Sequence, residues 1–315
     1  MVVLLSACAS PSLHKISDIT EARALSDRGL ELFAAGDHRG AIAALDAVVA
    51  YGTIDDSIYA RRAAVHGTLK NYDRALADAD RAVALAPRTW RRYLERAVLY
   101  QRSGQYESAI SDLDSALALQ PHEIELLRRR AYLKVVAQRF DDAVADYEDL
   151  SRAQPRSDTG ALGRGAALYL SGRWLDAAAQ FSRLLTTRPD DGLAALWLAK
   201  ARLRGGIMTA WDDFEAQAGT QPEWQMTRAL LTTAKAEELA NLRGVTGPCE
   251  YALLVAVWGI AHGDQQSASS ALTSAAKSCP TDSIEASEAR VELARLRNQA
   301  LKNQIPDARP GPARP

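Results

Sequence analysis

WRRYLERAVLYQRSGQYESAISDLDSALALQP, residues 90–121, reads as two amphipathic helices joined at a glycine and closed by a proline. Ala97 and Ala109 lie where the two helices would cross, and only a small side chain lets two helix backbones reach the short end of the 8–10 Å packing range. Leu113 and Ala116 follow Ala109 four and seven residues on, which makes one apolar stripe on the second helix. Gly104 supplies a turn in which a left-handed backbone costs little. Pro121 ends the second helix because it cannot continue one. Pro87, Pro121, Pro155 and Pro189 are each 34 residues apart, so the unit recurs. Repeats of this length are helix-turn-helix modules that bury their apolar faces against one another.

The repeat positions are consistent along the chain. With units beginning at Ala22, Asp56, Trp90, Ile124, Asp158 and Gly192, the eighth position is Gly29, Ala63, Ala97, Ala131, Gly165 and Ala199. The twentieth is Ala41, Ala75, Ala109, Ala143 and Ala177, and the turn at the fifteenth holds Gly36, Gly104 and Gly172. The sixth unit keeps its first helix and breaks at Gly205–Gly206. There Trp211 replaces the small twentieth residue, so the crossing must open or the helix must shift. A last unit starts at Cys249, with Ala256, Ala268, Leu272, Ala275 and Pro280 in the matching places. These assignments divide the chain into residues 1–8 (a partial signal), 9–21 (a linker), 22–204 (repeats), 205–248 (a degenerate helical segment), 249–282 (the last unit), 283–303 (a capping helix) and 304–315 (a proline-rich, disordered tail).

The chain has 315 residues, 47% of them hydrophobic, enough for a large core. A net charge of −1 with both signs interspersed argues against nucleic acid as a ligand. No run approaches the roughly 18 apolar residues that suggest a membrane span. The five histidines occupy unrelated repeat positions, and no pair has the i, i+4 spacing of a zinc helix. No phosphate loop or nucleophile elbow is present, so neither catalytic residues nor a cofactor or metal site is assigned.

Leu5-Ser6-Ala7-Cys8 resembles a bacterial lipobox, which makes Cys8 the candidate lipidation site. The stretch before it lacks a basic region, which a start codon further upstream would supply. Cys249 and Cys279 form an even pair at positions 1 and 31 of one unit. Antiparallel helices bring those positions to the same end of a hairpin, so a disulfide is expected with Cα atoms closer than about 7 Å. Such a bond persists in the periplasm and not in the cytosol.

Arg28, Arg62, Arg96, Arg130 and Arg164 share the seventh position, while Asp78, Asp112 and Asp146 share the twenty-third. A guanidinium between packed helices takes a carboxylate in bidentate fashion, so this ladder reads as scaffold rather than as a phosphate or peptide site. First-helix positions 2, 5, 9, 12 and 13 point inward in such a stack. The groove they predict comprises Arg91, Leu94, Val98, Gln101, Arg102, Arg128, Tyr132, Val135, Leu162 and Tyr169. Its apolar surface with a few arginines suits an extended or helical protein segment carrying acidic groups at its edge. A neighbouring protomer of a homodimer, or a partner on the convex side, is the competing use.

The repeats resemble bacterial tetratricopeptide repeats (TPRs), as in Arg96-Ala97…Tyr100…Gly104…Ala109-Ile110-Ser111-Asp112. The resemblance implies an all-α, right-handed superhelix of about seven hairpins with a C-terminal capping helix. More narrowly, the chain looks like TPR lipoproteins of the NlpI type. Gly163-Arg164-Gly165-Ala166-Ala167-Leu168-Tyr169…Gly172-Arg173, Pro189-Asp190-Asp191, Leu196-Trp197-Leu198 and the unit from Cys249 through Cys279-Pro280 carry that likeness. It implies a non-enzymatic adaptor, lipid-anchored to the outer membrane on its periplasmic side, that scaffolds peptidoglycan hydrolases and the proteases degrading them. A cytosolic co-chaperone or signalling module is the alternative. The two-carboxylate clamp of chaperone-binding TPRs, lysine at position 5 and asparagine at position 9, is missing, since these read Ser26 and Leu30, Ala60 and Ala64, Leu94 and Val98.

Overall fold

A computed structural model of the chain describes residues 19–304, apart from 53, 208–211, 217, 234, 235 and 245. Cys8, Trp211 and the tail from residue 305 lie outside the described residues. The described residues are all-α, with no strand among them. They fall into two compact units, before and after the Glu123–Ile124 junction.

The first unit is three consecutive hairpins: α1 (Ile19–Ala34) on α2 (His38–Ala50), α3 (Asp56–Thr68) on α4 (Tyr72–Leu85), and α5 (Trp90–Arg102) on α6 (Tyr106–Leu119). The second unit begins with α7 (Ile124–Val136) on α8 (Phe140–Ala153) and α9 (Thr159–Ser171) on α10 (Trp174–Thr187). It continues with α11 (Gly192–Arg204), the single turn α12 (Asp212–Glu215), α13 (Pro222–Thr232) and a 3₁₀ segment, Ala236–Gly244. The hairpin of α14 (Pro248–Ala261) and α15 (Gln265–Ser278) follows, and then the long α16 (Ile284–Gln304).

The small eighth and twentieth residues lie at the crossings. Ala41, Ala75, Ala109, Ala143 and Ala177 have no solvent exposure. A Cβ on Gly165 would sit 2.5 Å from the buried Phe181 ring, so that crossing accepts no side chain. Leucine in place of Ala109 overfills its crossing and is expected to cost about 1–3 kcal/mol. Its melting temperature should fall by several degrees, and an unchanged melt would refute this packing. The turn at the fifteenth position has positive φ at Gly36, Gly104, Gly172, Gly206 and Gly263. Lys70 and Gln138, at the same position, take φ of 60° and 62° without being glycine. The hairpin geometry therefore overrides the local steric cost, roughly 1–2 kcal/mol for a side chain in this conformation.

The sixth unit keeps its turn, since Gly206 has the expected φ of 71°, but its second helix is replaced. α13 packs on α11 instead, with the buried Trp224 Nε1 donating to the Asp190 carbonyl at 3.3 Å. α16 packs on α15 and also reaches α7 and α9, within the second unit.

Three members of the arginine ladder, Arg62, Arg96 and Arg130, form ion pairs between helices, whereas Arg28 pairs with Glu31 at 3.1 Å within α1. Arg62 donates to both Asp78 oxygens at 2.8 and 2.6 Å and to Asp46 at 2.6 Å. Arg96 does the same with Asp112 and Asp80, at 2.8, 2.7 and 2.8 Å. Arg130 holds Asp146 at 2.8 Å on both oxygens, with Lys134 adding a contact at 2.7 Å. The pattern stops at Arg164, where position 23 is Gln180 and the buried Nε finds no partner.

Candidate peptide-binding groove

Within the first unit, α1, α3 and α5 line an open groove of about 580 Å³. α3 contributes alanines, Ala60 and Ala64, because the fifth and ninth positions there carry nothing larger. α5 contributes Leu94 and Val98, and α1 contributes Leu30 and Phe33. Leu30 is 38% exposed, a large apolar side chain left facing the opening. α3 and α5 approach closely at Gly67, where a Cβ would come within 2.5 Å of Leu99 Cδ2.

The charges at this groove are unequal. Arg92 is neutralised by Asp56 at 2.5 Å and Glu95 at 2.7 Å. Arg61 donates to Ser26 Oγ and stands 3.8 Å from Asp27. Arg102, at the end of α5, is exposed and has no carboxylate partner among the described residues. An apolar trough with one uncommitted guanidinium at its end accepts an apolar ridge followed by a carboxylate.

Of the ten groove residues expected from sequence, Leu94, Val98 and Arg102 come together here. Arg91 is exposed with its guanidinium 5.2 Å from the Trp90 ring centre, and Gln101 is half-buried on α5; neither lines the trough. The other five belong to the second unit, where the expectation needs correcting. Val135 and Tyr169 have no exposure at all. Leu162 is half-buried against the core, and the Tyr132 hydroxyl donates to the Asp282 carbonyl. Arg128 is exposed but held by Glu125 at 2.6–3.0 Å. The wholly buried positions are covered by α16, which packs against α7 and α9, whereas Arg128 is tied down within α7 and Tyr132 by the turn before α16.

Its anchors are charged and buried. Lys200 on α11 pairs with Glu288 at 2.6 Å, and Arg204, one turn later, pairs with Glu292 at 2.8 Å. Arg295 donates to Glu292 at 2.6 Å and to the Leu170 carbonyl at 2.5 Å. Glu288 is fully buried, and burial pushes its carboxyl above the ordinary range while Lys200 pulls it back. Lys200 Nζ also lies 4.0 Å from the Trp197 ring centre.

Leu30, Phe33, Ala60, Ala64 and Arg61 were missed as groove residues. Apolar ninth positions in the first two units, Leu30 and Ala64, were the available signal. Cys249 and Cys279 lie at disulfide distance, with Cα atoms 4.8 Å apart at one end of the α14–α15 hairpin. Among the described residues no group of three or more His, Cys, Asp or Glu is arranged to hold a metal ion. No described helix is long and apolar enough to cross a membrane.

Residues 26–88, 128–192 and 171–210 match one tetratricopeptide repeat family profile, and residues 63–119 match a second. Together they cover more than half of the chain. A tetratricopeptide repeat protein from Parabacteroides merdae is similar in structure, with a TM-score of 0.60 at 15% identity over 87% of this chain and 99% of that one. The C-terminal part of a TPR repeat-containing protein from Cytophaga hutchinsonii matches with a TM-score of 0.51 at 17% identity, over 85% of this chain and 99% of that one. No curated protein matches in sequence.

Proposed function

Because the chain belongs to the tetratricopeptide repeat family, we propose that it is a non-enzymatic scaffold whose first unit binds a segment of a partner protein in the α1–α3–α5 groove. The observation carrying this reading is the open apolar trough ending at Arg102, which has no carboxylate partner among the described residues. Exposed contiguous apolar surface of this kind marks contact sites in soluble proteins. A partner held in the trough should be lost when Leu94→Glu and Val98→Glu are combined, because its docking would have to bury two carboxylates in place of the apolar floor. Both residues are only half-buried, so the melting curve should move little. Photo-crosslinking from position 30, comparing wild type with the double variant, reads the loss directly. Equal crosslinking in both would move the site elsewhere.

The site of action that fits best is the periplasm, with the chain tethered by a lipid on Cys8, and the partners best matching that setting are cell-wall hydrolases and proteases. The lipobox-like Leu5–Cys8 and the Cys249–Cys279 pair, which persists only in an oxidising compartment, support this reading. Cys8→Ser should abolish incorporation of labelled fatty acid and release the protein from the membrane fraction. Unchanged fractionation would remove the anchor from the proposal.

A further inference from the structure

We propose that the occupant of the first unit's groove is an amphipathic helix of a partner protein, with an apolar residue at one position and a carboxylate one turn later, set against Arg102. This deepens the reading above and rests on the groove being the binding face. The molecule contains its own worked case. In the second unit the inward positions are covered by a helix, α16, running alongside α9 and α11. Its Glu288 meets the ninth residue of α11, Lys200, and its Glu292 meets the thirteenth, Arg204.

Most of the same positions in the first unit are uncovered, although Val98 is half-buried like Tyr132 in the second. At the ninth position Ala166 and Lys200 are buried in the second unit, whereas Leu30 and Ala64 are exposed in the first. At the thirteenth, Val136 and Leu170 are buried, whereas Thr68 and Arg102 are exposed. Arg102 stands at the same repeat position as Arg204, so it calls for the counterpart of Glu292. The ninth residue of α5 is Val98 where α11 has Lys200, so the counterpart of Glu288 must be apolar. Ala60 and Ala64 leave room on α3 for a helix backbone to approach, as small residues do at the crossings elsewhere in this fold. Anchors at i and i+4 on one helical face match this pattern, and an extended segment does not present them together.

The test uses the full-length protein and labelled 21-residue peptides. The first carries the sequence of residues 284–304 with Glu288→Leu, keeping Glu292. By fluorescence anisotropy it should bind at least tenfold more tightly than the unaltered 284–304 peptide. Arg102→Glu in the protein should weaken it tenfold or more, and Glu292→Lys in the peptide should restore binding to that variant. Adding Val291→Pro to the peptide, which breaks the helix, should abolish binding. If the proline peptide binds as well as its parent, the helix inference falls and the groove reading stands. If Leu94→Glu with Val98→Glu leaves peptide binding intact, both fall. If the Glu288→Leu peptide does not bind, or if the protein alone forms a concentration-dependent dimer that Arg102→Glu dissolves, the partner helix is overturned, in the latter case in favour of a second copy.

Discussion

Lys200→Met is expected to lower the stability of the second unit by about 3–5 kcal/mol at neutral pH, because it leaves Glu288 as an uncompensated buried charge. For a unit of this size that corresponds to a fall of roughly 10 °C in melting temperature. The penalty should depend on pH in a defined direction. Burial raises the Glu288 carboxyl above its ordinary value of 4.5. A carboxyl raised on folding stabilises through its neutral form. That contribution is complete below the unfolded value and is lost as pH rises through the folded one. In the wild type Lys200 offsets the loss; in Lys200→Met nothing does. The variant should therefore approach the wild type near pH 4.5 and fall furthest behind it near pH 8. Adding Glu288→Met should recover most of the stability, since a buried ion pair replaced by apolar groups of similar size is often neutral or better. Thermal melts of the two single variants and the double variant at pH 5 and pH 8 decide the matter. A pH-independent penalty would mean that Lys200 matters through packing on Trp197 rather than through charge.

Reduction of the Cys249–Cys279 pair should be nearly as costly. The two cysteines are 30 residues apart, and closing a loop of that length removes enough unfolded-state entropy to contribute about 3–4 kcal/mol. Both residues are buried in the small cluster of α14, α15 and α16 with Leu253, Leu272 and Ala289. Loss of the bond should therefore loosen α16 as well as its own hairpin. Differential scanning calorimetry with and without reductant, and of the Cys249→Ser and Cys279→Ser double variant, should show the transition of residues 124–315 fall. Hydrogen exchange should rise first at Glu288 and Glu292. A melt indifferent to reductant would mean that the pair adds nothing to this unit.

The hairpins were legible in the sequence because every feature that makes one is local. Small residues at positions 8 and 20, an apolar stripe on the second helix and a turn at position 15 all fall inside 34 residues, and helix periodicity exposes them. Even Lys70 and Gln138 followed their position into the left-handed turn that glycine takes in the other units. The arginine ladder was readable for the same reason, since Arg62 and Asp78 are only 16 residues apart. The charge chemistry of Lys200 was not. It looks like one more cation on a repeat, and its partner lies 88 residues away.

The open face depended on such distant contacts. Gln101, Val135 and Tyr169 hold the same repeat position, yet the first is half-buried and the other two are wholly buried. Their shared repeat position does not distinguish them. The sequence by itself determined the helices of the regular repeats and their pairing into hairpins, but not the packing of α13 on α11. Tertiary structure alone decided which inward surface stays open, because α16 returns from the far end of the chain to cover α7, α9 and α11, and exposure depends on every neighbour in space rather than on any period along the chain.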